Sequence, residues 1–358
     1  MVNAQGAGAC GNAGQRCDRV GDVVNTASVR AGLGFADSEL ESGVSAALLQ
    51  VEDRILAAVD SADPFVAEAA RHLVDAGGKR FRPLLVILSG YFGAPEDARI
   101  ADAGAVMELT HLATLYHDDV MDEAKMRRGA PSANARWGNS LAILVGDYLF
   151  ARAADIAANL GTEAVRLQAQ TFARLVHGQI AETIGPRNAD PIDHHLQVLA
   201  EKTGSLIATS SRLGAMVSGV REPMLDALSE YGETIGIAFQ LSDDLLDIAS
   251  DSTQSGKTPG TDLREGVPTL PILYALADDD ASPDATRLRK ILSAGPVTDD
   301  AVHAEALGLL RDSAAIKRAR QTVHGYADRA RDALTALPDM PARAALAALC
   351  DAVADRSV

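Results

Sequence analysis

The sequence predicts an all-α protein, and three observations carry that prediction. Alanine and leucine, both strong helix formers, dominate, while aromatic residues make up 4% of the chain. Long stretches lack the apolar-polar alternation of a half-buried strand. From near Asp37 onward the patterning is helical. With 358 residues, 47% of them hydrophobic, the chain can bury a sizeable core, and length alone allows one large domain or two. No repeat of solenoid period is present.

Residues 1 to about 37 hold many small and polar side chains without sustained periodicity, which predicts a disordered arm. The first helix is expected in "DSELESGVSAALLQVEDRILAAVDS", capped by Asp or Ser, and a second from 64 to about 76. In "AGGKRFRPLLVILSGYFG" a Gly-Gly break precedes three basic residues and an apolar run. The segment from 96 to about 124 has no proline and predicts one long helix with an aspartate cluster at its C-terminal end. A polar loop, "KMRRGAPSANARWGN", follows.

Further helices are expected over about 140–160, 162–185, 192–201 and 203–219. The segment 223–250 predicts a second long helix, again ending on an aspartate cluster. "DSTQSGKTPGTDLREGVPTLPIL" is a Gly- and Pro-rich loop too long for a simple connection, and such loops inside compact domains are usually functional. The acidic run 278–284 fits a solvated turn, and the remainder is helical with a proline-interrupted hairpin at "LPDMP".

The 33 basic and 49 acidic residues give a net charge of −16, which argues against general affinity for nucleic acid or anionic membrane surfaces. There is no run of 18 apolar residues, and the Gly/Ala-rich N-terminus lacks the apolar core of a signal peptide. These features predict a cytoplasmic protein without stable membrane insertion. Cys10, Cys17 and Cys350 are spaced for neither a zinc site nor a disulfide framework and are expected to be free thiols.

Chemistry concentrates in "HDDVMD" and "SDDLLD". Residues four apart share a helix face, so Asp118 projects with Asp122 and Asp243 with Asp247, and Asp119 and Asp244 sit beside them. At a helix C-terminus three carboxylates oppose both the dipole and one another, so a cation is needed, and oxygen-only ligation suits Mg²⁺. One such cluster fits a solvated helix end equally well. Two of them, preceded by "LATLY" and "GIAF", fit a pair of metal-binding clusters at the mouth of an apolar cavity, holding Mg²⁺ around a diphosphate. Lys79, Arg80, Arg82, Arg127, Arg128, Lys202, Lys257 and Arg264 are candidate phosphate ligands, although each alone would pass for a surface charge.

"GGKRFRP", "HLATLYHDDVMDEAKMRRGAPSANARWGN", "EKTGSLI", "FQLSDDLLDI" and "GKTPGTDLREGVPTLPIL", in that order, resemble the trans-isoprenyl diphosphate synthase (polyprenyl synthetase) family, most of all its bacterial long-chain members. The resemblance covers about residue 50 to the end, and the arm has no counterpart in it. It implies a single all-α domain over 38–358, with helices around a deep cavity and the two aspartate clusters facing each other across its mouth. The implied activity is Mg²⁺-dependent head-to-tail condensation of isopentenyl diphosphate with an allylic diphosphate by a homodimer, without a side-chain nucleophile.

Carried over position by position, the resemblance makes Asp118, Asp119, Asp122, Asp243, Asp244 and Lys202 catalytic. Asp118, Asp122, Asp243 and Asp247 would ligate three Mg²⁺ per active site. Lys79, Arg82, His111 and Arg128 would hold isopentenyl diphosphate. Arg127, Lys202, Thr203, Gln240 and Lys257 would surround the allylic diphosphate. His111 precedes Asp118 by two turns of one helix, whereas His177, His194 and His195 have no such support and are expected to be structural.

In this family the residues ahead of the first cluster line the tail cavity, and a bulky aromatic there floors it in short-chain enzymes. Here Thr114, Ala113 and Thr110 are small, and Met107 lies one turn further. An open path predicts a product longer than geranylgeranyl, such as a quinone side-chain precursor; the same small residues also fit close helix packing with another wall closing the cavity. The rival readings are a short-chain synthase, a class I terpene cyclase and an inactive regulatory subunit. The second cluster, together with Lys79, Arg82 and His111, counts against the cyclase, and the two intact clusters count against the inactive subunit.

Overall fold

The first described helix begins where Asp37 accepts the Leu40 N–H at 2.7 Å, an N-cap that satisfies an otherwise orphan amide. The structure, a computed structural model, describes residues 35–249 and 259–356. Most of the predicted arm, with Cys10 and Cys17, lies outside the described residues, as does Lys257. The described residues are helical apart from one small hairpin, and their contacts group into two compact units.

The first unit runs to Arg166 and adds Leu213–Val220. It holds α1 (Ser38–Val59), α2 (Pro64–Asp75), α3 (Phe81–Gly90) and α4 (Arg99–Met121). After them come strands β1 (Met126–Arg127) and β2 (Ala130–Pro131), α5 (Ala133–Trp137) and α6 (Asn139–Leu160). The buried face of α1 carries Leu40, Val44, Leu48, Val51 and Ile55 at helical spacing. Helix α2 starts with Asp63 capping the Phe65 and Val66 amides and proline in its first turn. Nearly every residue of α3 is buried, and α4, covered by α1, α3 and α6, is buried along most of its length. A helix enclosed this way loses its amphipathic stripe, which is why α4 looks uniformly apolar until its aspartates.

The predicted start of α4 is three residues early: Asp97 takes the Arg99 N–H at 2.9 Å and opens the helix there. The expected polar loop after α4 is also more ordered than its composition implies. Met126 pairs with Pro131 and Arg127 with Ala130 across an antiparallel hairpin. Its two loop residues, Arg128 and Gly129, both have positive φ (53° and 78°), the geometry that matches strand twist in two-residue hairpins.

The second unit comprises Leu167–Arg212 and the chain from Arg221 on. Helix α7 is Thr162–Ile184, α8 is Pro191–Leu199, and a π turn at Ala200–Gly204 joins α8 to α9 (Ser205–Val217). The centre of this unit is α10 (Met224–Ala249). Gly232 lets α10 approach α9 to backbone contact, since a Cβ there would stand 2.7 Å from Ala208 Cα. Helices α11 (Thr261–Glu265) and α12 (Leu270–Leu276) lie within the segment expected to be loop. They are followed by α13 (Pro283–Leu292), α14 (Asp300–Asp312), α15 (Ala314–Ala333) and α16 (Pro341–Asp355). Helices α15 and α16 pack on α10, and Tyr231 of α10 donates to Leu346 O at 2.9 Å. Cys350 is buried and free, its thiol pushed up to about 12 by burial. Among the described residues no helix is long and apolar enough to cross a membrane.

Candidate active site

In the first unit, four elements bring cationic side chains together. Arg80, the left-handed residue ahead of α3 (φ 47°), donates to Glu52 of α1 through Nε at 2.9 Å and Nη2 at 3.0 Å, and to Glu108 of α4 through Nη1 at 3.0 Å. Burial opposes its charge, but Glu108 and Glu52 outweigh burial and raise its pKa above the usual arginine value. Gly78 makes this crowding feasible, because a Cβ there would lie 2.9 Å from both Arg80 Nη1 and Arg128 Nη1. Arg128, at the left-handed corner of the hairpin, donates Nη1 to Leu73 O at 3.0 Å and to Gly77 O. Its Nη2 stands 3.9 Å from Glu108.

Arg82 and His111 complete this pocket. Burial pushes the Arg82 guanidinium down to about 10, against the attraction of Glu108 and with Arg128 adding to the depression. Its Nε is buried without a hydrogen-bond partner. Burial, and then the guanidinium groups of Arg82, Arg128, Arg80 and Arg127, hold the His111 imidazole well below its ordinary pKa, so it is neutral at pH 7. The sequence-predicted trio Arg82, His111 and Arg128 is therefore assembled. Lys79 lies exposed next to Arg80 in the same segment. A pocket with an unsatisfied guanidinium Nε and excess positive charge is suited to a multivalent anion.

The first aspartate cluster closes α4. Asp118 and Asp119 are in the last turn, and Asp122 is the C-cap residue. Asp119 is fully buried, with Oδ1 accepting from Arg127 Nε at 2.6 Å. Its Oδ2 is buried without a hydrogen-bond partner. Burial raises the Asp119 pKa and Arg127 partly opposes the rise. The hairpin thus places Arg127 on the aspartates and Arg128 on the anion pocket.

In the second unit, each aspartate of α10 has its own environment. Asp243 Oδ1 accepts from Arg356 Nη2 at 3.1 Å, and the Arg356 guanidinium also lies 5.3 Å from the Phe239 ring centroid. Asp244 Oδ1 accepts from Gln240 Nε2 at 3.2 Å, while Oδ2 is 3.7 Å from His195 Nε2. Asp247 accepts the Thr261 and Asp262 amides at 3.2 and 3.1 Å, acting as a distant cap for α11. Lys202 and Thr203 sit in the π turn, a distortion frequent at functional sites, and Lys202 Nζ pairs with Glu182 at 2.6 Å.

His195 stands beside Asp244, its Nε2 buried without a hydrogen-bond partner, and His177 pairs with Glu201 at 2.6 Å. Glu52, Glu108, Glu182 and Arg356 were not legible as site residues. Each is one charge in a long sequence, and only tertiary packing shows what it opposes.

The four positions expected along a tail path are buried: Ala113 has no exposed surface, Met107 and Thr110 keep 1%, and Thr114 keeps 7%. Thr110 and Thr114 donate their hydroxyls to Val106 O and His111 O, each at 2.7 Å, which leaves neither hydroxyl unpaired. Thr114 is the least enclosed of the four.

Among the described residues no three acids or histidines are pre-gathered as a metal site. The donors still suit a hard divalent cation: oxygen-only side chains in two clusters, with an unpartnered buried Asp119 oxygen in one and arginine-compensated carboxylates in both.

The sequence matches the Polyprenyl synthetase family over residues 63–310. It is 52% identical over 332 residues to a nonaprenyl diphosphate synthase of Mycobacterium tuberculosis, spanning 92% of this chain and 98% of that protein. Among solved structures, it resembles geranylgeranyl pyrophosphate synthase from Corynebacterium glutamicum complexed with calcium and isoprenyl diphosphate (TM-score 0.83, 45% identity, 91% of this chain and 99% of that one). It also resembles a decaprenyl diphosphate synthase from Rhodobacter capsulatus (TM-score 0.81, 33% identity, 89% of this chain and 99% of that one). The family match runs through α3, the whole of α4 with its hairpin, the π turn and α10, the elements that carry Arg82, His111, Arg128 and the two aspartate clusters, and the chain belongs to the polyprenyl synthetase family.

Proposed function

We propose that this protein joins isopentenyl diphosphate head-to-tail to an allylic diphosphate and repeats the step to make an all-trans polyprenyl diphosphate longer than geranylgeranyl. The observation that carries the reading is the sharing of α4 by two devices. His111 of the anion pocket and Asp118, which opens the carboxylate cluster, are fixed about 10 Å apart along one helix. Product length rests on the nonaprenyl and decaprenyl names of the relatives.

Asp118 and Asp122 in the first unit, and Asp243 and Asp247 in the second, would hold the Mg²⁺ ions, three per active site, which would supply charge neutralisation to a departing diphosphate. Arg127 and Lys202 release Asp119 and Glu182 to take up negative charge as the allylic C–O bond breaks, with Thr203, Gln240 and Lys257 around the same diphosphate. Lys79, Arg82, His111 and Arg128 hold isopentenyl diphosphate by its phosphates. Its double bond then attacks the allylic carbon, and the proton lost from the resulting cation passes to the released diphosphate. The apolar surroundings exclude water that would otherwise capture the cation. The chain from residue 38 on acts as one catalytic domain, in the cytoplasm.

A homodimer fits the exposed face of α7, where Val165 (37%), Val176 (37%), Ile180 (52%) and Ile184 (48%) form an apolar stripe. The test of function is incubation with Mg²⁺, labelled isopentenyl diphosphate and allylic starters of several lengths, with products read by mass spectrometry. Chains beyond geranylgeranyl are expected. No incorporation of isopentenyl diphosphate would overturn the activity, and products stopping at geranylgeranyl would overturn the length.

A further inference from the structure

Glu108 is an acid on α4 that the proposed chemistry leaves unused, although it lies less than one turn from His111 and is 2% exposed. Its Oε1 is 3.0 Å from Arg80 Nη1 and 3.9 Å from Arg128 Nη2, and its charge also acts on Arg82. Arg80 does not depend on it for placement, because Glu52 already holds that guanidinium at two points and Val74 O at a third. Nor does Arg128, which is fixed by the Leu73 and Gly77 carbonyls. What Glu108 supplies to the pocket is charge. Three guanidinium groups gather there; Glu52 balances Arg80, while Glu108 pairs with Arg80 and Arg128 and its charge acts through space on Arg82. Buried cations lacking a counter-charge are costly, and a diphosphate can serve as counter-charge only while it is bound.

We propose that Glu108 is a standing counter-ion for the diphosphate pocket, neutralising Arg82 and Arg128 while the pocket is empty and limiting how tightly it holds a diphosphate. This rests on reading Arg82, His111 and Arg128 as the isopentenyl diphosphate site. In head-to-tail coupling the lengthened product keeps the diphosphate that arrived on isopentenyl diphosphate. Each addition therefore ends with an anion in this pocket that must leave before the next monomer enters. Glu108 returns to the guanidinium groups as the anion departs, which lowers the barrier to emptying the site. It is a positioning residue that acts through the arginines and does not touch the reacting carbons.

Glu108→Gln tests this, because it keeps the shape and an acceptor for Arg80 while removing the charge. Calorimetric titration of isopentenyl diphosphate into metal-free protein is expected to show binding about threefold tighter or more. In steady state, KM for isopentenyl diphosphate and kcat should fall together while KM for the allylic starter stays put, and Glu108→Asp should restore both. Glu52→Gln removes a more exposed acid of the same cluster and should tighten binding in the same sense, so the test survives if Glu108→Gln does not fold. Weaker isopentenyl diphosphate binding in either glutamine variant would make these acids mere props and overturn the proposal. Arg82→Gln separates the two levels: unchanged binding there refutes the site itself, whereas lost binding there with no tightening in Glu108→Gln refutes only the counter-ion.

Discussion

Arg82 and Arg128 face the same pocket but are held differently, and their substitutions should separate binding from stability. Arg128 is tied to two carbonyls, whereas Arg82 Nε is buried without a partner. Arg82→Gln should raise KM for isopentenyl diphosphate roughly tenfold or more, the loss of a charge-assisted bond, with no fall in melting temperature. Arg128→Gln should lose affinity and also melt earlier; kinetics paired with thermal melts decide both. His111 makes a pH prediction. Its folded pKa is depressed by burial and then by Arg82, Arg128, Arg80 and Arg127, so the folded state stays unprotonated where the unfolded state, near 6.5, takes a proton. Stability from this group is fully present above about pH 6.5 and is lost as pH falls below it, by up to about 1.4 kcal/mol per unit. His111→Gln should flatten the decline in melting temperature between pH 7 and 5.5, and an unaltered decline would assign it to other groups.

At the scale of elements, the helix starts were legible wherever a short acid precedes an apolar run, as Asp37 and Asp63 show. The hairpin was not, because two-residue strands are shorter than any periodicity and their signal is only Arg128-Gly129 at the turn. Helices α11 and α12 were hidden by glycine and proline, and α11 gets its cap from Asp247 on another helix, which no local pattern can reveal. The aspartate clusters and basic motifs could be read because the chemistry needs several in fixed order. Glu108 and Glu52 could not, since a lone glutamate in a helix ordinarily faces water. Helix α4 also carries the tail-length prediction. Thr114→Phe should shorten the products, because this position is the least enclosed of the four. Ala113→Phe should first cost stability, about 1–3 kcal/mol from overpacking a closed site. Product spectra and melting curves distinguish the two, and a Thr114→Phe spectrum matching wild type would take Thr114 out of the tail path.

For the whole molecule, the net charge of −16 argues against general nucleic-acid affinity, while assembly depends on surfaces that sequence periodicity cannot label as covered or bare. The apolar stripe on α7 is bare in the single chain, and Ile180→Glu should convert a dimer to monomer in sedimentation velocity; a native monomer would refute the stripe as an interface. Helix α16 ends at Asp355, and the next residue, Arg356, grips Asp243. A label attached at or beside Arg356 would therefore press on a side chain engaged with the second aspartate cluster, and turnover measured on such a labelled protein would report on the label as much as on the enzyme.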